Sequence, residues 1–276
     1  MPALSEIIDV LETAYPTELA ESWDAVGLVC GDPAEPVHKV LVCVDPVEET
    51  VAEAIELGAR LIVAHHPLLL RGVHGVPADT VKGALVHRMI RAGIALYCAH
   101  TNADSARPGV SDALADALGL RVLRPLDPRA DNETGIGRIG ELAEAEPFAA
   151  FVERVGRALP ATVPGVSGAG DPDRPIRTVA VSGGAGDGYL GAATEAGVDA
   201  YVTADLRHHP AGEHLAGGAK VPALVGVTHW ASEWPWCGQA SAVITAGLAG
   251  TVDVHVSTVC TDPWTLRAEQ HRENAQ

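Results

Sequence analysis

Residues 39–67, KVLVCVDPVEETVAEAIELGARLIVAHHP, decide the fold. KVLVCVD (39–45) and RLIVAHH (60–66) read as buried strands, and VEETVAEAIELGA (47–59) reads as a helix with Gly58 as its stop. Strand, helix and strand in close succession form the unit of a parallel sheet. Both strands close on polar residues, Asp45 and the pair His65 and His66. Ligands in open α/β sheets gather at these carboxyl ends of the strands.

The same grammar extends outward. Leu4, Ile7, Ile8 and Leu11 form the stripe of an opening amphipathic helix. VKGALVHRMIRAG (81–93) reads as a helix stopped by Gly93, and IALYCAH (94–100) as another buried strand. Residues 125–175 are richer in Pro, Gly and charge, with RIGELAE a strand and FAAFVERVGRAL a helix. This shift places a boundary near 125, with an N-terminal α/β domain over 1–125 and a C-terminal one over 126–276. From 176 the alternation returns in IRTVAVSGG, YLGAATEAGVDAYVTAD and VPALVGVTH.

Composition narrows the function classes. The 276 residues carry 19 Lys and Arg against 36 Asp and Glu, a net charge of −17, which opposes binding to nucleic acid. The opening residues carry Glu6, Asp9 and Glu12 where a leader peptide needs bases, and no apolar run suits a membrane span. Five scattered cysteines make neither a disulfide framework nor a thiolate zinc site. A soluble cytoplasmic protein is expected.

The two halves repeat one another. EAIELGARLIVAHH aligns with AATEAGVDAYVTAD, so Glu56 falls on Glu195, Gly58 on Gly197, Val63 on Val202 and His66 on Asp205. ALYCAHTNAD aligns with LVGVTHWASE, so His100 falls on His229 and Asp104 on Glu233. Converging strand ends would gather His65, His66, His100, Asp104, Asp205, His229 and Glu233 into one cleft. Imidazoles and carboxylates together suit zinc, iron or manganese, and seven such groups exceed one tetrahedral site, leaving room for two ions. Some would serve as orienting partners rather than ligands. The His-x-x-x-acid pairs share one face only if the chain turns helical after each strand.

A lone strand-end histidine is more often a hydrogen-bonded structural residue than a ligand; the adjacent pair and two His-x-x-x-acid spacings favour the metal reading. His208, His209 and His214 read as a solvated loop, and His38, His74, His87, His255 and His271 as structural or surface residues. A competing motif, Gly186-x-Gly188-x-x-Gly191, follows a strand and precedes a helix, with Asp205 at the end of the next strand, as in a dinucleotide-binding fingerprint. The matching joint of the first half, VCVDPVEET, lacks such glycines. An NAD-binding enzyme is therefore the lesser alternative, and the glycine loop is expected to be a β–α turn without dinucleotide, in which Gly188→Ala would act, if at all, through backbone strain, since glycine alone takes positive φ freely.

SWDAVGLVCGDP, AHHPLL, HTNAD, GVSDALADALGL, TGIGRIGEL, VAVSGGAGDG, DAYVTADLRHH and THWASE together resemble, in order and over almost the whole chain, the dinuclear metal-centre proteins known as GTP cyclohydrolase I type 2 homologues. The chain is too short for the inserted middle domain of some members. The resemblance implies two interlinked α/β domains with the metal site at their interface, assembled as a toroidal homo-hexamer. It makes His65, His66, Asp104, His229 and Glu233 the ligands of two divalent ions, with Glu233 the bridge. His100 becomes an orienting or proton-transfer residue. Trp230 stands where the family more often has Tyr, and Ala204 where it has Gly; neither change removes a ligand.

A metal-dependent hydrolase acting on a small, nucleotide-like substrate is the leading expectation. An anionic nucleotide would have to be met by the metals and by local bases such as Arg71, Arg107 or Arg207. The alternative from another class is a non-catalytic metal-binding or scaffold protein, with a site closed by protein ligands.

Overall fold

A computed structural model describes residues 1–268; His271 lies outside the described residues. The chain runs α1 (Leu4–Ala14), β1 (Gly27–Cys30), β2 (Lys39–Cys43), α2 (Glu48–Glu56), β3 (Leu61–Ala64), α3 (Val81–Ala92), β4 (Ala95–Cys98), α4 (Thr101–Ser105) and α5 (Val110–Ala117). It continues through β5 (Arg121–Pro128), β6 (Gly135–Pro147), α6 (Phe148–Ala158), β7 (Ser167–Ala169) and β8 (Pro175–Ala185). It ends with α7 (Leu190–Glu195), β9 (Ala200–Ala204), α8 (His208–Leu215), β10 (Ala223–Val227), α9 (His229–Gly247) and β11 (Asp253–Val256).

Two sheets result, both mixed. The first has the order β1-β4-β3-β2-β11, with β1 antiparallel to β4 and the rest parallel. The second has the order β5-β6-β8-β9-β10-β7, with β8, β9 and β10 parallel and antiparallel strands on both flanks. The expected repeat is visible in their centres, where β2-α2-β3-α3-β4 and β8-α7-β9-α8-β10 follow one pattern. Gly58 and Gly197 end the matching helices with the same φ of 67°, a left-handed conformation that glycine adopts without a Cβ clash. β5 spans residue 125, and β11, from the far end of the chain, returns to pair with β2 in the first sheet. The two α/β halves are thereby interlinked.

The long helix α9 explains the layering. Trp236, Cys237, Ala240 and Ile244 are buried along it, and it packs against α1, α5 and strands of both sheets. One continuous core therefore joins Val40, Val42 and Val63 of the first sheet to Val179, Val181 and Val202 of the second. Smaller apolar clusters cover the outer faces, α2 and α3 on the first sheet and α7 on the second. The strands of both sheets thus end near α9, and the polar residues that follow them meet there.

Candidate metal centre

Each histidine is placed by a strand end. His65 and His66 follow β3, His100 follows β4 and caps α4, and His229 follows β10 and opens α9. The turn to helix after β4 and β10 puts Asp104 and Glu233 one turn beyond their histidines.

All four imidazoles are anchored through Nδ1. His65 is bound to the carbonyl of Ala99 at 2.9 Å, His66 to Asp45 at 2.7 Å, His100 to Asp24 at 2.9 Å and His229 to Asp205 at 2.7 Å. These acceptors keep the proton on Nδ1 and leave the Nε2 lone pair for a metal, the arrangement of oriented histidine ligands. The Nε2 atoms converge on Glu233, whose Oε1 lies 3.4 Å from His65 and 3.1 Å from His229, and whose Oε2 lies 3.0 Å from His66. Asp104 Oδ1 lies 3.7 Å from His65 Nε2.

Two overlapping groups of donor atoms form, His65 with His66 and His100, and His66 with His229 and Glu233, the atoms of each lying within 4.8 Å of one another. His100 thus joins a potential ligand cluster. His65 Nε2 and Glu233 Oε2 are buried without a hydrogen bond, the state expected of atoms meant for a cation. Gly184 (φ 66°) keeps space open beside them: a Cβ there would stand 2.5 Å from Glu233 Oε1 and 3.1 Å from His229 Nε2. Donor chemistry, orphaned atoms and open space fit divalent metal.

The electrostatics agree. Burial alone would lower the imidazoles, but neighbouring carboxylates outweigh it: Glu233 raises His65 and His66, and Glu233 with Asp205 pushes His229 up to about 9. Burial would raise Glu233, but His66 and His65 hold it well below the usual carboxylate range. Burial wins at Asp104, which is raised. The carboxylates thus draw positive charge into the cleft, and a metal would displace the protons.

A cavity of about 390 Å³ opens over this centre, lined by His100, Asp104, His229 and Glu233 together with Glu21, Trp23 and Tyr189. A larger groove of about 550 Å³ runs between α5 and α9 past Asp112 and Gln239, and none of the described histidines lines it.

Several expectations change. His208 and His209 open α8 as exposed helical residues rather than a loop, and His214 bonds the carbonyl of Pro222 at 3.1 Å. Arg207 is paired with Asp187, and none of Arg71, Arg107 and Arg207 lines the cleft. Gly188 has neither positive φ nor a close neighbour, so it is not strained; Gly186 is the demanding position, where a Cβ would overlap Thr203 and Tyr201. The Gly186 carbonyl accepts the Tyr201 hydroxyl at 2.9 Å, and Asp205 is committed to His229. Asp24 and Asp45 are site residues that sequence reasoning missed. Asp45 carried a signal, as the acid closing a buried strand; Asp24 carried none beyond its place in SWDAVGL.

Comparison with known proteins gives the family. The family model described as Duf34/NIF3 (NGG1p interacting factor 3) matches residues 2–263. A Streptomyces coelicolor protein called GTP cyclohydrolase 1 type 2 homolog is 51% identical over 271 residues, covering 96% of this chain and 94% of the relative. A Mycobacterium tuberculosis protein of the same name is 40% identical over 379 aligned positions, covering 99% of each. The Bacillus cereus protein related to NIF3, a solved structure, superimposes with a TM-score of 0.88 at 27% identity, over 96% of this chain and 99% of that one. With the match running across both sheets, the chain belongs to the Duf34/NIF3 family.

Proposed function

We propose that this protein is a dinuclear metal-dependent hydrolase acting on a small, nucleotide-like substrate. The observation that carries the reading is the position of Glu233, with one oxygen toward His65 and His229 and the other toward His66. In this reading His65, His66, Asp104, His229 and Glu233 would hold two divalent ions, zinc, iron or manganese, with Glu233 the carboxylate shared between them. The ions supply Lewis acidity, making water acidic near neutral pH and polarising an electrophile.

The chain's own residues do the rest. Ala99, Asp45 and Asp205 orient the imidazoles of His65, His66 and His229. His100, whose Nδ1 is held by Asp24 at the cleft wall, would take a proton from water at Nε2 and pass it to the leaving group. The open cavity supports turnover over a structural site, since a site closed by protein ligands has no room for substrate. The relatives' shared name supports ring-opening hydrolysis of a purine nucleotide as the reaction type. The family resemblance also brings a toroidal six-chain assembly, expected as a solution mass near six chains.

The test is elemental analysis of protein purified without chelator, joined to a nucleotide hydrolysis screen before and after chelation. Two ions per chain with chelator-sensitive turnover is the expected result. Bound ions without turnover would favour a metal-binding or scaffold role, and absence of ions would remove the reading.

A further inference from the structure

The cleft over the metal centre has a one-sided chemistry. Its charged lining is acidic, with Glu21, Asp104 and Glu233; among the described residues no Lys or Arg lines it, and Arg129 pairs with Glu21 at 3.3 Å from outside the lining. Trp23, by contrast, stands at its mouth 58% exposed, its ring edge-on to His100 with centroids 6.0 Å apart. Its neighbour Asp24 is tied to both His100 and the backbone of Thr101, so the indole projects from a pinned segment. Tyr189, contributed by the second half of the chain, and Leu70 complete an aromatic and aliphatic rim.

Resting on the dinuclear reading above, the charge count is informative. Two divalent ions bring four positive charges, while Asp24, Asp45, Asp104, Asp205 and Glu233, all beside the histidines, bring five negative ones. The loaded centre is therefore compensated before substrate arrives. A polyphosphate would enter a cleft whose described lining holds no Lys or Arg, and whose two histidines are each tied to an aspartate. A flat, uncharged ring meets a better surface: an exposed indole on which to stack, and the neutral hydroxyls of Ser111 and Ser182 for its polar edge, the Thr101 hydroxyl being held by Asp24 and the Glu21 backbone.

We propose that the cleft recognises an uncharged, planar nitrogen heterocycle stacked on Trp23, and that any phosphate the substrate carries stays in solvent and contributes no affinity. The site thus reads the ring of a nucleoside-like compound.

The experiment measures binding of guanosine, adenosine and GTP to metal-loaded protein at about 50 mM and about 500 mM salt, concentrations between which charge attraction is strongly screened. At least one nucleoside is expected to bind saturably, with GTP no more than about threefold tighter than guanosine and little change with salt. Trp23→Ala should weaken nucleoside binding about tenfold or more, the scale of one base stacked on an aromatic side chain, while Trp23→Phe retains most of it. Metal content and solution mass should match wild type in both variants. GTP binding more tightly than that with strong salt dependence, no saturable nucleoside binding, or a smaller loss in Trp23→Ala would each overturn the proposal. Elemental analysis of the same samples separates this from failure of the metal reading, which would appear as missing ions whatever the nucleoside data.

Discussion

The side chain that Gly184 lacks would begin 2.5 Å from Oε1 of Glu233, the carboxylate on which the imidazoles converge. The glycine at the end of β8 is thus part of the candidate metal centre, although it offers no donor atom. Gly184→Ala carries two effects. Left-handed φ strains alanine by about 1–2 kcal/mol, and the methyl group presses on Glu233 and His229. Unfolding in chelator should show the backbone strain and the steric cost of the methyl group together. With saturating metal the gap from wild type should widen, because ions that bind only the folded state stabilise it by about 2.7 kcal/mol at a hundredfold excess over Kd. An equal gap in both conditions would show that the methyl group leaves metal binding intact.

Asp205 sits at φ 54°, a conformation that asparagine adopts more readily than alanine, while its carboxylate holds Nδ1 of His229. Asp205→Ala should weaken the ion at His229 by about 10–100-fold, the usual effect of removing an orienting partner. Asp205→Asn keeps an acceptor oxygen and the backbone conformation, so its loss should be smaller. Metal titration followed by competition with a chromophoric chelator ranks the two variants. Equal affinities would mean that the His229 ring needs no such support.

Much of this arrangement is readable from sequence because it is local. LIVA and AYVTA are fully buried strands flanked by helices that stop at glycine, and their β-branched runs declare that without tertiary knowledge. His229 and Glu233 are neighbours because one residue opens a helix and the other lies a turn later, a spacing that the residues themselves record. The pairing of β11 with β2 is different. DVHV has alternating burial and nothing in it names a partner more than two hundred residues away. The orienting acid Asp24 is hidden for the same reason, since a lone aspartate acquires its role only when a distant segment brings His100 to it, whereas Asp45 closes a buried strand beside the one that carries His66. Gly184 is harder still, because its contribution is empty space.

The glycine loop separates two readings of one motif. Gly188→Ala should fold and melt like wild type, as its Cβ would meet nothing within 4 Å. Gly186→Ala should destabilise clearly, because the new methyl group overlaps Thr203 and the Tyr201 hydroxyl that the Gly186 carbonyl accepts. Neither variant should acquire or lose affinity for NAD. Differential scanning calorimetry with and without NAD checks both statements, and a melting shift on adding NAD to wild type would revive the dinucleotide reading.

Arg138 is fully buried between the α4–α5 junction and β6, where its Nε bonds Asp112 at 2.8 Å and its Nη1 bonds the carbonyls of Gly135 and Gly137 at 2.7 and 2.8 Å. Nη2 reaches the carbonyl of Ala106. Removing the guanidinium leaves these acceptors buried and unpaired. Arg138→Ala should therefore lose about 3–5 kcal/mol, the scale of breaking one side of a buried ion pair. Lysine cannot reproduce the fork, so Arg138→Lys should rescue only part. Urea unfolding in the presence of chelator measures the loss apart from any metal effect, and a change below about 1 kcal/mol would place this pair with weak surface bridges.

Glu233 carries the decisive prediction. It is 3% exposed, and its carboxylate has the Nε2 atoms of His65, His66 and His229 within 3.4 Å. Replacing it by glutamine keeps the shape and removes the negative charge that allows two dications to sit side by side, so both ions should weaken together. Metal content of Glu233→Gln should fall from two per chain toward one or none, and its melting temperature at saturating metal should drop. In chelator the variant should lie closer to wild type, because the ions no longer contribute by mass action. His66→Ala should weaken both groups to different degrees, since His66 belongs to each while His65, His100 and His229 remain in place. His38→Ala, at an exposed position away from the cleft, serves as the control and should alter neither metal content nor melting. If Glu233→Gln still holds two tightly bound ions and melts like wild type, Glu233 is not the bridge, and the converging Nε2 atoms must serve a different centre.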